Sequence, residues 1–132
     1  MAELANLTLD DGQSTPVTKT FSPRQAKPIA IWKDLSSGIA IGAPTITLSV
    51  RETASSTRVE KRISLPVLET VSGSDGGYTP SPKVAYTLLS KEEFVLPNRS
   101  TYGQRKDLRA FSANFLADTV MVNAIDYLEA PW

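Results

Sequence analysis

The chain contains neither cysteine nor histidine. The first absence excludes disulfides, thiol nucleophiles and thiolate-held metals or clusters. The second removes the commonest general base, and with it every Ser-His-Asp or Cys-His arrangement. Charge of one sign is missing too, since 14 basic residues balance 14 acidic ones. A partner held by bulk charge is therefore not expected, although an uneven distribution still permits a local basic face. No window approaches about 18 uninterrupted apolar residues, so no membrane-spanning helix is expected. Met1–Leu4 lacks the basic-then-apolar pattern of a signal peptide. No acidic cluster has calcium-loop spacing, and Asp10-Asp11-Gly12 reads as a turn. Glu92 and Glu93 are adjacent on a strand pattern and point to opposite faces, so they cannot flank a glycosidic bond. The reading is a non-enzyme with no metal, cofactor or small-molecule substrate.

What is present is a strand pattern. From Thr45 to Arg51, Ile46, Leu48 and Val50 alternate with Thr45, Thr47, Ser49 and Arg51. From Arg58 to Leu65, Val59, Ile63 and Leu65 alternate with Arg58, Glu60, Arg62 and Ser64. With Glu52–Thr57 as the turn, this hairpin has one apolar face and one face rich in hydroxyls and cations. Such donors suit phosphates and base edges. They equally suit the solvent side of any half-exposed antiparallel sheet. Lys61 falls on the apolar phase and is expected to snorkel at an edge.

Around this hairpin, residues 4–22 read as a second hairpin turning at Asp10–Gln13, followed by a short strand Ile29–Asp34 containing Trp32. Val67–Val71 and a long strand Val84–Leu96 complete the β part. Between them Ser72–Lys83 is a Gly/Ser/Pro loop, unusually long for a compact domain and more often functional than accidental. The period then changes. Thr101-Tyr102-Gly103-Gln104 has the form of a capping box, and Leu108, Phe111 and Phe115 follow at helical spacing. Asp118-Thr119 ends this helix and caps a second, whose stripe is Met121, Val122, Ile125 and Leu128.

The fold class is therefore α+β, six or seven antiparallel strands followed by two helices, in a single domain of residues 1–132. Two helices cannot cover both faces of such a sheet. A symmetric dimer that pairs edge strands and exchanges helices is the economical solution.

The order of these elements resembles the coat proteins of single-stranded RNA bacteriophages, the levivirus and Q-beta-like group. The carriers are Ala124-Ile125-Asp126-Tyr127-Leu128 with Pro131-Trp132 at the end, Ser100-Thr101 opening the helix pair, Thr47-x-Ser49-Val50-Arg51, and Ile29-Ala30-Ile31-Trp32. The resemblance spans essentially the whole chain. It implies an N-terminal β-hairpin plus a five-stranded sheet and two helices, interlocked as a homodimer. It further implies assembly of dimers into an icosahedral shell, made in the bacterial cytoplasm and located in the virion. The inner sheet face would bind a stem-loop of the single-stranded genomic RNA, for packaging and translational repression. A dimeric RNA-binding regulator that forms no shell is the alternative.

By position, the resemblance places Thr47, Ser49, Arg51, Glu60 and Arg62 against RNA, with Ile29 as an apolar wall of a base pocket. Tyr86 takes the place of a base-stacking tyrosine, though it could as well pack on strand neighbours. Counting back from Pro97 instead brings Leu89 to that place. Glu60 is anionic where a neutral donor would suit RNA, and either alters the pocket or pairs with Arg62. Leu88 stands where a polar residue is expected.

Overall fold

A computed structural model describes residues 2–69 and 81–132. The chain divides into a sheet unit, Met1–Val95, and a helical unit, Leu96–Trp132. Among the described residues the strands are β1 (Leu7–Asp10), β2 (Thr18–Gln25), β3 (Ala30–Lys33), β4 (Thr45–Glu52), β5 (Ser56–Leu68) and β6 (Val84–Pro97). They form one sheet in sequence order, and the pairs from β1 to β5 are antiparallel. Order in the sheet follows order in the chain, as is usual where successive strands lie side by side.

The β4–β5 pairing runs without interruption from Thr45↔Ser64 to Glu52↔Thr57. Its tight turn is closed by Thr53, whose N–H donates to Ser56 O at 2.8 Å and whose hydroxyl donates to the same oxygen at 2.8 Å. Residues paired across strands share a face, so register sorts the sheet chemically. Trp32, Ile46 and Ile63 fall on one face, with Leu48 and Lys61 beside them. Thr45, Thr47, Ser49 and Arg51 fall on the other, with Ser64, Arg62, Glu60 and Arg58 opposite them.

The core sits on the apolar face. Phe21, Trp32 and Ile46 are buried, and Leu4, Leu7, Ala30, Leu48 and Ile63 pack against them. The Trp32 indole Nε1–H donates to Ala5 O at 2.9 Å, tying the N-terminal segment to the edge of the ring. Complete burial of each large side chain contributes about 1.5–3 kcal/mol. The connection from β3 to β4 is organised by Asp34, which is 6% exposed. Its carboxylate accepts from Ser36 N–H at 3.0 Å, while its own N–H donates to Pro44 O at 3.0 Å. Ser36 holds this carboxyl below its ordinary value through backbone and side-chain hydrogen bonds, against the opposing effect of burial.

One element differs from the sequence pattern. The expected separate strand Val67–Val71 is, as far as residue 68, a continuation of β5 through Pro66; residues 70 and 71 lie outside the described residues. Proline is tolerated there because the β4 register has already ended at Thr45↔Ser64. Gly42, in a 3-10 turn at Ala40–Gly42, lies against this extension. A Cβ at that position would meet Leu68 side-chain carbons at 3.0 Å. The expected loop Ser72–Lys83 lies outside the described residues up to position 80. At its base Glu69 N–H donates to Lys83 O at 2.8 Å.

In the helical unit, α1 (Tyr102–Leu116) begins with the expected capping box: Thr101 Oγ1 accepts from Gln104 N–H at 3.2 Å, and Gln104 Oε1 accepts from Thr101 N–H at 3.0 Å. Arg105 Nη1 adds a 2.6 Å hydrogen bond to Ser100 O. Asp118 caps α2 (Thr119–Asp126) through Val120 N–H at 2.9 Å. Met121, Val122 and Ile125 lie within α2, but Leu128 does not belong to its stripe. It lies past the helix end with a left-handed φ of 59°. Neither helix contains a buried residue.

Two stability tests follow from these local devices. Thr101→Ala removes the hydroxyl half of the capping box and should cost about 1 kcal/mol in denaturant unfolding. A loss indistinguishable from zero would show that α1 does not depend on its cap. Asp34 has a folded-state pKa below its ordinary 3.8. Its contribution is therefore present above about pH 4 and lost as pH falls through the folded value. Asp34→Asn should be less stable than the parent at neutral pH, with the gap closing in acid. A gap independent of pH would refute the carboxylate's role.

Candidate nucleic-acid interface

The polar face of β3–β6 is built by alternation. On β4 it presents Thr47, Ser49 and Arg51; on β5, Arg58, Glu60, Arg62 and Ser64. Lys33 joins them from β3 as the partner of Thr45. The phase of β6 is set by two ion pairs with polar-face residues of β5. Arg58 Nη1 meets Glu93 Oε1 at 2.9 Å, and Lys91 Nζ lies 4.0 Å from Glu60 Oε2. Lys91 and Glu93 are thus on the polar face. On the apolar phase Lys61 Nζ pairs with Glu92 Oε2 at 3.9 Å, so the expected snorkelling lysine ends on a carboxylate.

Glu60 lies amid this face. Its Oε1 accepts from Arg62 Nε at 2.6 Å, so the internal pairing considered for these residues is formed. Ser49 faces Glu60 across β4, and Thr47 faces Arg62. Arg51 stands directly opposite Arg58, a like-charge pair. Glu93 relieves Arg58, whereas Arg51 has no ion pair among the described residues. Five cations (Lys33, Arg51, Arg58, Arg62, Lys91) therefore meet two carboxylates (Glu60, Glu93) on one face of a chain with no net charge. The cations of these pairs are about half exposed and the carboxylates a quarter to a third, so solvent screens each pair and its contribution to stability stays at about 1 kcal/mol or less. Their consequence is the surface potential.

Of the residues singled out in the sequence, Thr47, Ser49, Arg51, Glu60 and Arg62 come together on this face. Ile29 lies one residue before β3, 41% exposed, with its carbonyl accepting from Gln25 Nε2 at 3.1 Å. Tyr86 does not join them. Counted from Lys91 and Glu93 it takes the opposite phase, on the apolar side of β6, where it is 62% exposed. Leu88 shares that phase. Leu89 takes the polar phase. An aromatic and a leucine three residues apart in a strand necessarily point to opposite faces. Lys33, Lys91 and Glu93 were missed in the sequence. The signal for the last two was the Lys91/Glu93 alternation, unanchored until the strand's register partners were known.

The opposite face is chemically distinct. Leu9, Phe21, Ile46, Ile63 and Leu65 line an open groove of about 550 Å³ with Asp34 at its rim. Among the described residues no three acidic side chains gather to hold a metal ion, and no helix is long and apolar enough to cross a membrane.

The comparisons with known proteins agree with this architecture. The Levivirus coat protein family model matches residues 2–132. The capsid protein of Pseudomonas phage PRR1 is 32% identical over 123 residues, 92% of each chain. Among solved structures, the virus-like particle of bacteriophage ESE058 has a TM-score of 0.91 at 30% identity, covering 99% of this chain and 100% of that one. That of bacteriophage NT-214 has a TM-score of 0.89 at 30% identity, with the same coverage. The bacteriophage GA capsid protein, 19% identical, shares the fold, with a TM-score of 0.74 over 98% of both chains. A six-stranded sheet followed by two helices, matched over nearly its whole length, places the chain in the levivirus coat protein family, as a structural protein of the virion and not an enzyme.

Proposed function

We propose that this chain self-associates into a dimer whose copies build a closed shell, and that the polar face of β3–β6 binds the enclosed single-stranded RNA. The observation that carries the RNA reading is the concentration of cations and hydroxyls on one face of a neutral chain, with Arg51 free of any carboxylate among the described residues. Thr47, Ser49 and Arg62 supply donors around it, and an assembled shell multiplies a weak field over many copies. Ile29 offers apolar contact beside this face. Tyr86 has no part in this reading, because its phase directs it away from the cations.

Self-association is supported by what each unit leaves uncovered. Phe111 on α1 is 70% exposed, and Phe115, Val120 and Ile125 are exposed with it. Helices of 15 and 8 residues do not hold such faces in water by themselves. The sheet unit has the complementary lack, an open apolar groove and a 14-residue edge strand β6 with Tyr86 and Leu88 exposed on its apolar phase. A second copy whose helices cover the groove and whose β6 pairs with this β6 satisfies all of these at once. Packaging and repression of translation follow if the bound RNA is the phage genome.

The direct experiment is electron microscopy of the purified recombinant protein with absorbance at 260 and 280 nm on the same fraction. Uniform spheres with a nucleic-acid spectrum are expected; a small RNA-binding dimer across all salt conditions would favour a regulator that forms no shell. Phe111→Asp should abolish particles and leave a small species in size-exclusion chromatography. Intact particles from that variant would refute the helix contact. Arg51→Ala should weaken RNA binding about five-fold at about 0.1 M salt, and lower the slope of log K against log salt by about 0.7, one phosphate contact. An unchanged slope would remove Arg51 from the interface.

A further inference from the structure

We propose that Glu60 is a built-in attenuator of RNA binding, an anion placed amid the cations of the polar face that lowers its affinity for phosphate. This rests on the RNA-facing role of that face. The side chain is bordered by Arg58 and Arg62, its same-face neighbours on β5, by Lys91 on β6 and by Ser49 on β4. Three of these four are cations, and Glu60 engages two of them, Arg62 at 2.6 Å and Lys91 at 4.0 Å.

A structural origin for this arrangement is weak. Glu60 is 24% exposed at its side chain and its partners are about half exposed, a setting in which ion pairs add little to stability. Its side-chain hydrogen bond, from Arg62 Nε at 2.6 Å, lies among exposed groups and serves no part of the core. Its effect on a polyanion is direct. An RNA phosphate approaching Arg62 or Lys91 must displace a carboxylate already in place, and the carboxylate repels it. Arg51 and Lys33 are the cations of this face without an ion pair among the described residues, so the face reads as a weak, phosphate-directed surface whose strength Glu60 sets. In a particle that must release its RNA, a ceiling on affinity per copy is a functional property, because many copies multiply each contact.

The test compares the full-length protein with Glu60→Gln, which keeps size and one acceptor oxygen and removes the charge. Binding of a labelled mixed-sequence single-stranded RNA is measured across a salt series. Freeing Arg62 and Lys91 should tighten binding roughly five- to twenty-fold at about 0.1 M salt and steepen the slope of log K against log salt by about 1.4, two contacts at about 0.7 each. In an Arg62→Gln background the gain from Glu60→Gln should shrink, because one of its two targets is gone. Unchanged or weaker binding by Glu60→Gln, while the parent protein binds RNA and Arg51→Ala impairs it, would overturn the attenuator and leave the interface standing. If neither parent nor Glu60→Gln binds RNA at any salt concentration, the interface and the attenuator both fall.

Discussion

The uninterrupted β4–β5 register is the constraint on which the rest depends. Eight consecutive pairs, from Thr45↔Ser64 to Glu52↔Thr57, direct Ile46, Leu48 and Ile63 to one side and Thr47, Ser49, Arg51 and Arg62 to the other. A slip of one residue would exchange every side chain between faces. It would put Ile46 in solvent and arginines against Phe21 and Trp32, so the small core and the basic face are specified by the same hydrogen-bond ladder. Ion pairs of Arg58 and Glu60 carry the sorting onto β6, which has few buried contacts of its own.

What this ladder leaves open matters as much. Only Phe21, Trp32, Ala43 and Ile46 are buried apolar residues among the described part of the chain, while large apolar side chains on the helices and on β6 stay exposed. Leu128 concentrates this feature. It is 88% exposed and holds a left-handed φ that costs a side chain bearing a Cβ about 1–2 kcal/mol. In the assembly proposed above, such costs would be offset by contacts with another copy. On that proposal the weak core and the exposed helices are two aspects of a chain whose folding and assembly would share one pool of apolar surface.

Much of this was legible in the sequence because strand alternation and capping chemistry are local. Thr45–Arg51, Arg58–Leu65 and the Thr101–Gln104 box needed only period-two patterning and a four-residue motif. Pro66 misled as a strand breaker, because whether a proline costs a ladder bond depends on where the neighbouring strand ends. Leu128 misled because helical spacing continued one turn beyond the point where the backbone reversed hand. Tyr86 and Leu89 could not be separated locally. Both lie in a strand of mixed chemistry, and only the cross-strand partners of Lys91 and Glu93 set its phase. The charge lattice around Glu60 was half visible, since Arg62 is two residues away, while Lys91 is brought in by the fold.

The most direct measurement is electron cryomicroscopy of particles formed by the recombinant protein, with attention to density lining the shell. The account predicts RNA density against the polar face at Arg51 and Arg62, and a second copy's helices over the groove lined by Phe21, Ile46 and Ile63. RNA density against the helices, or shells whose sheet presents its apolar groove to the interior, would contradict it.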